Sequence, residues 1–138
     1  MLDPQARALI DLMVARQVPP VHTLSPQDAR RMYLERRGFT QPAPPPVGEV
    51  RGLQTDTGVP LRLVRPQALG VKPVLVYFHG GGYAFYAAVS RHFVAMLAGW
   101  LGVPIFAPDY RLTPEHPHPA QIDDALAAWR HLLASGLE

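Results

Sequence analysis

The sequence predicts an α/β fold, and three observations carry that expectation. Val74 to Phe78 is a continuous apolar run that breaks into a glycine triplet, and Val103 to Pro108 is a second such run. Between them, from Ser90 to Leu101, Phe93, Val94, Leu97, Ala98 and Leu101 recur at helical spacing. After the second run, Ala120 to Ser135 is again periodic, with Ile122, Leu126, Trp129 and Leu133 on one side and Gly136 as a stop. From residue 71 the order is therefore strand, glycine turn, helix, strand, loop, helix. Unbroken apolar runs suit strands covered on both faces, and this alternation belongs to a parallel sheet with helical crossovers.

Upstream the elements follow from local signals. Asp3-Pro4 reads as an N-cap followed by proline at the first helical position, and Leu9, Ile10, Leu12 and Met13 give a helical stripe that ends before Pro19-Pro20. Ser25-Pro26 with Asp28 resembles a capping box, and Gly38 is placed to end this second helix. Gln41 to Pro46 holds four prolines in six residues, an extended connector. Val47–Gln54 and Val59–Val64 flank Asp56-Thr57-Gly58, a hairpin signal. Residues 1–46 are expected as a helical segment with its connector, and residues 47–138 as part of an α/β core.

Composition narrows the function. The 138 residues are 48% hydrophobic and 17% charged, enough to bury a core. The net charge is +2, and the 13 basic residues form no block, which argues against a nucleic-acid partner. There is no cysteine, so disulfides, thiolate-held metals and a thiol nucleophile are out. No apolar stretch reaches transmembrane length, and Met1 to Leu12 shows no basic and then apolar leader, so a cytoplasmic protein without membrane insertion is expected.

His79-Gly80-Gly81-Gly82 carries the sharpest chemical signal. Successive glycines after a buried strand allow backbone conformations closed to other residues and let a second molecule approach the peptide groups. Acyl transfer needs donors aimed at an oxygen that becomes negative, and backbone N–H groups can serve. A tight strand-to-helix turn is the plainer reading of the same glycines. Phosphate binding fits poorly, since neither a following Gly-Lys-Ser/Thr nor the GxGxxG spacing is present. His116 and His118 are two apart on a proline-rich loop, a spacing unlike HExxH, so no metal site is expected. Asp123-Asp124, near the start of the last helix, is read as complementing its dipole.

The second motif, Asp109-Tyr110-Arg111-Leu112-Thr113-Pro114-Glu115 with His116-Pro117-His118-Pro119-Ala120, follows the glycine turn by about one helix and one strand. Together the two motifs closely resemble the bacterial hormone-sensitive-lipase-like carboxylesterases of the α/β-hydrolase fold. The resemblance is strong from about Val74 to Leu133. Thr113 departs from it, alanine being commoner there. It implies a partial α/β-hydrolase fold, a mixed, mostly parallel sheet with flanking helices, preceded by a helical cap segment. It further implies that the N–H groups of Gly81 and Gly82 form an oxyanion hole. His79 and Gly80 would brace the turn, and Tyr83 would line the substrate pocket. Asp109, Arg111 and Glu115 would fix the loop around the site.

The family's nucleophile lies in G-x-S-x-G, with its acid and base later still. Ser25, Ser90 and Ser135 fit no such motif, so the catalytic triad is expected to lie outside this chain. The resemblance implies hydrolysis of short- to medium-chain carboxylic esters by a serine mechanism, with no cofactor. The implied partners are a small-molecule ester and, besides it, at most a second copy as a homodimer. Two rivals stand beside this. Plant gibberellin receptors resemble the same family and use its pocket to bind rather than to cleave, and a truncated inactive gene product would show the same motifs.

Overall fold

The computed structural model describes residues 2–40, 43–68, 73–85 and 91–136. The chain divides into two compact units, Met1–Pro42 and Ala43–Glu138.

The first unit holds helices α1 (Pro4–Ala15) and α2 (Pro26–Thr40), with a single 3-10 turn at Val21–Thr23 between them. The Asp3 carboxylate accepts from the Gln5 N–H at 2.8 Å, as an N-cap should. The Asp28 N–H donates to Ser25 Oγ at 3.1 Å, and that hydroxyl donates to the Asp28 carboxylate at 2.7 Å. The capping box is thus closed through the side chains. Gly38 does not end α2, which continues to Thr40. A helical glycine costs only about 1 kcal/mol relative to alanine, which neighbouring turns can carry. Leu9 and Ile10 of the α1 stripe are exposed, while Ala29 and Met32 of α2 are buried.

The second unit is a four-stranded sheet. Its strands are β1 (Glu49–Gln54), β2 (Pro60–Arg65), β3 (Leu75–Val76) and β4 (Ile105–Pro108), in the order β1-β2-β4-β3. The β1–β2 hairpin is antiparallel and closes at Gly58, whose φ of 87° suits glycine. β2 runs antiparallel to β4, and β3 parallel to it. The helices α3 (Arg91–Leu101) and α4 (Ala120–Ala134) follow β3 and β4, so the strand–helix–strand–helix order is realised.

Alternation along the strands sorts the core into two faces. Leu61, Leu63 and Phe106, with Val74 and Val76, pack on Ala128 and Leu132 of α4. Val64, Ile105 and Ala107, with Leu75 and Tyr77, pack on Val94 and Ala98 of α3. Every residue of β4 is buried, because it has strands on both sides and helices on both faces.

Two expectations need correction. The Val74–Phe78 run forms a ladder only at Leu75 and Val76 and is half-buried, with Phe78 exposed. β3 is the outer strand among the described residues, so it is paired along one edge only. On α4 the residues facing the core are Gln121, Asp124, Ala128 and Leu132, not the apolar stripe singled out from the sequence. Ile122, Leu126, Trp129 and Leu133 are about half exposed.

Candidate functional site

The site is assembled by the parallel pairing of β3 and β4. Parallel neighbours end on the same side of a sheet. With Leu75 opposite Ile105 and Val76 opposite Phe106, the segments beyond both strands arrive together. The Tyr77 N–H extends this register by donating to the Phe106 carbonyl at 2.7 Å. His79-Gly80-Gly81-Gly82 therefore meets the loop that starts at Asp109.

His79 and Tyr110 form the contact between the two. Both are buried, and their rings stack 4.1 Å apart at an angle of 5°. The Tyr110 hydroxyl donates to the His79 carbonyl oxygen at 2.5 Å. His79 Nδ1 lies 2.8 Å from the Gly80 carbonyl oxygen. A carbonyl only accepts, so this contact requires the proton on Nδ1. Burial, together with the Tyr83 and Tyr77 phenols, raises the Tyr110 hydroxyl above its ordinary pKa.

The turn itself runs through conformations rare for side-chain-bearing residues, with φ of 128° at Gly81, 58° at Gly82 and 59° at Tyr83. A Cβ at Gly81 would sit 2.9 Å from Phe85 Cβ, whereas one at Gly82 would meet nothing within 4 Å. Gly81 accepts at its carbonyl from the N–H groups of Ala84 and Phe85, both at 3.1 Å. The Tyr83 carbonyl accepts from the Thr113 N–H at 2.9 Å and from Thr113 Oγ1 at 3.3 Å. Among the described residues no acceptor faces the N–H of Gly81 or Gly82, and both glycines are exposed. The Tyr83 ring is exposed too.

The second loop is fastened from below. Asp109 lies 3.6 Å from the Arg62 guanidinium of β2, and its N–H donates to the Pro60 carbonyl at 2.9 Å. Arg62, Tyr77, His79 and Asp109, with Val94 of α3, line a cavity of about 20 Å³. Asp124, 2% exposed, accepts from the Arg111 N–H at 2.8 Å and from its guanidinium at 2.7 Å. Gln121 donates to the carbonyls of Arg111 and His116 at 3.1 and 2.6 Å. Burial pushes the Asp124 carboxyl up, but the hydrogen bonds and charge of Arg111, with His116 nearby, outweigh it, and the net direction is down. Asp124 is thus the loop's anchor, where its position had suggested a helix-dipole role. Asp123 does stand in the first turn of α4. Glu115 is exposed on the loop, between the cis peptide bonds Thr113-Pro114 and His118-Pro119.

Of the serines, Ser25 Oγ is engaged with Asp28, and Ser135 Oγ donates to the Leu132 carbonyl at 2.6 Å. Ser90 lies outside the described residues. Among the described residues no three His, Asp or Glu side chains gather as a metal site, and no helix is long and apolar enough to cross a membrane. A wider hollow of about 480 Å³, between the hairpin end and Arg111, Asp123 and Arg130, includes no residue of the glycine turn. Tyr110, Gln121 and Asp124 had no site role from sequence. The signal available was positional: Tyr110 follows β4 at the level where His79 follows β3.

Residues 75–137 match the alpha/beta hydrolase fold family. The ethyl acetate hydrolase of Pseudomonas putida is 35% identical over 96% of this chain and 45% of its own length. An ester-hydrolase from the Lake Arreo metagenome, solved with a bipyridine phosphonate derivative, superposes with a TM-score of 0.82 at 35% identity. That match covers 98% of this chain and 46% of the relative. An esterase of the bacterial hormone-sensitive lipase family superposes with a TM-score of 0.79 at 29% identity, covering 100% of this chain and 45% of the other. The chain spans less than half the length of each. On these matches, and on the sheet and turn described above, the chain belongs to the α/β-hydrolase fold family, alongside the bacterial hormone-sensitive-lipase-type carboxylic ester hydrolases.

Proposed function

We propose that this chain supplies the oxyanion-hole side of a carboxylesterase site that hydrolyses short- to medium-chain esters. In this reading the catalytic serine, base and acid are not among these 138 residues. The observation that carries it is the pair of N–H groups of the exposed residues Gly81 and Gly82, which make no hydrogen bond among the described residues. They stand at the end of two parallel strands, where ligands of α/β sheets commonly bind.

Nucleophilic attack on an ester converts the carbonyl oxygen into an alkoxide. Donors already in place stabilise that charge more than they stabilise the neutral ester, so they lower the barrier rather than merely bind. In this reading His79 and Gly80 hold the donors' direction and Tyr83 borders the substrate. Asp109, Arg111 and Glu115 belong to the surrounding loop. Backbone N–H groups do this work without a metal or organic cofactor, so the partner is the ester itself, and we place the enzyme in the cytoplasm.

The test is ester turnover by the full-length protein with p-nitrophenyl butyrate. Saturable release of p-nitrophenol supports the reading. Tight binding of an ester or carboxylate without any turnover would instead favour a receptor-like relative.

A further inference from the structure

Four carbonyl oxygens in and beside the glycine turn, those of His79, Gly80, Gly81 and Tyr83, are each held, and the holders come from two places. His79 Nδ1 holds the Gly80 carbonyl, and the N–H groups of Ala84 and Phe85 hold that of Gly81. The other two holders come from the neighbouring loop: the Tyr110 hydroxyl on the His79 carbonyl, and Thr113 on that of Tyr83. In a trans peptide the C=O and the N–H point in opposite directions. Fixing the Gly80 carbonyl toward the His79 ring therefore turns the Gly81 N–H away from it. Fixing the Gly81 carbonyl toward Ala84 and Phe85 turns the Gly82 N–H outward in the same way.

The first of these peptide planes depends on the His79 ring, and the ring depends on Tyr110. Tyr110 covers one face of the imidazole, its hydroxyl lies 3.3 Å from Nδ1, and the same hydroxyl pins the carbonyl of the residue that carries the ring. We infer that Tyr110 is a positioning residue for the donor turn, setting the direction of the Gly81 N–H through the His79 ring and carbonyl. Tyr110 touches no substrate in this arrangement. This inference rests on the ester-hydrolysis reading for its kinetic consequence, but not for its geometry.

The experiment has two arms. In the full-length protein, Tyr110→Phe keeps the stacked ring and removes only the hydroxyl. A contact that acts on a transition-state donor should lower kcat by about tenfold with KM nearly unchanged. A Tyr110→Phe protein with wild-type kcat overturns the inference. The second arm needs no activity. In ¹⁵N-resolved NMR spectra of the wild-type protein, His79 should carry its proton on Nδ1, and Tyr110→Phe should move the Gly80 and Gly81 amide signals while those of α4 stay in place. A proton on Nε2, or glycine signals that do not move, also overturns it. Wild-type protein without ester turnover but with the expected NMR behaviour would sink the hydrolysis reading and leave the positioning role standing. If Tyr110→Phe does not fold, the His79 tautomer in the wild-type protein still decides.

Discussion

Asp124 lies at 2% exposure inside α4 and receives both the backbone N–H and the guanidinium of Arg111, a residue 13 positions earlier in the chain. The loop that carries Tyr110 and Thr113 is thereby tied to a helix on the opposite side of the sheet from α3. Its geometry is set by a buried carboxylate rather than by its own prolines alone.

Asp124→Asn should therefore destabilise the protein by about 1.5–3 kcal/mol, the usual worth of hydrogen bonds to a charged group. The pH dependence follows from sign. The folded-state pKa of Asp124 is lowered, so its contribution is fully present above the unfolded value of about 3.9 and fades as pH falls through the lower folded value. Thermal melts of both proteins should differ at neutral pH, and the gap should begin to narrow only below about pH 4 and close further into acid. A gap that stays constant into acid would refute the assignment.

Gly81 and Gly82 should respond differently to alanine. Gly81→Ala places a Cβ against Phe85 at a φ of 128°, while Gly82→Ala meets open space at 58°. Gly82→Ala should cost about 1–2 kcal/mol of backbone strain. Gly81→Ala should displace a donor, and losing one such donor lowers turnover by about 100-fold or more. Equal kcat values for the two variants would place the donors elsewhere.

Thr113→Ala is expected to be nearly silent. The Thr113 N–H remains on the Tyr83 carbonyl at 2.9 Å, and the hydroxyl contact to the same carbonyl that is lost is the longer one, at 3.3 Å. A kcat/KM within about threefold corresponds to less than 1 kcal/mol, the range of one net neutral hydrogen bond. A loss of a hundredfold would mean that the hydroxyl has a role the geometry does not suggest.

Residues 1–138 expressed alone should show no esterase turnover, since none of Ser25, Ser90 and Ser135 lies in G-x-S-x-G, and Ser25 and Ser135 are each engaged in helix-end hydrogen bonds. They should also self-associate. The outer edge of β3 is unpaired among the described residues, and Ile122, Leu126, Trp129 and Leu133 stand about half exposed on α4. Light scattering after size exclusion would report this, and a monodisperse monomer with a sharp melt would contradict it.

The sequence made the α/β order legible because period and punctuation agreed: apolar runs for β3 and β4, and glycine or proline at their ends. It exposed the glycine turn for the same reason, since Gly81 and Gly82 occupy backbone that few other residues tolerate. It misled on α4, where a stripe of large apolar residues outweighs Gln121, Asp124, Ala128 and Leu132. A core face built from a carboxylate, an amide and an alanine has little hydrophobic signal, and the reason for its burial lies in Arg111, on another element. Tyr110 was hidden likewise. Nothing local marks an aromatic as the partner of a histidine beyond a neighbouring parallel strand, because that proximity exists only once β3 and β4 have paired.

The order of the strands also bears on how the chain acquires its structure during synthesis. β1 and β2 are neighbours in sequence and can close as a hairpin within microseconds of leaving the ribosome. The other edge of β2 has no such local partner: Leu61 awaits Pro108, and Leu63 awaits Phe106. Until that later segment emerges, the hairpin presents Leu61 and Leu63 on an open edge, a state in which chaperones and stray strands compete with the native partner. Slowing translation between codons 65 and 105 should lengthen that exposure and lower the yield of folded protein, although no amino acid has changed.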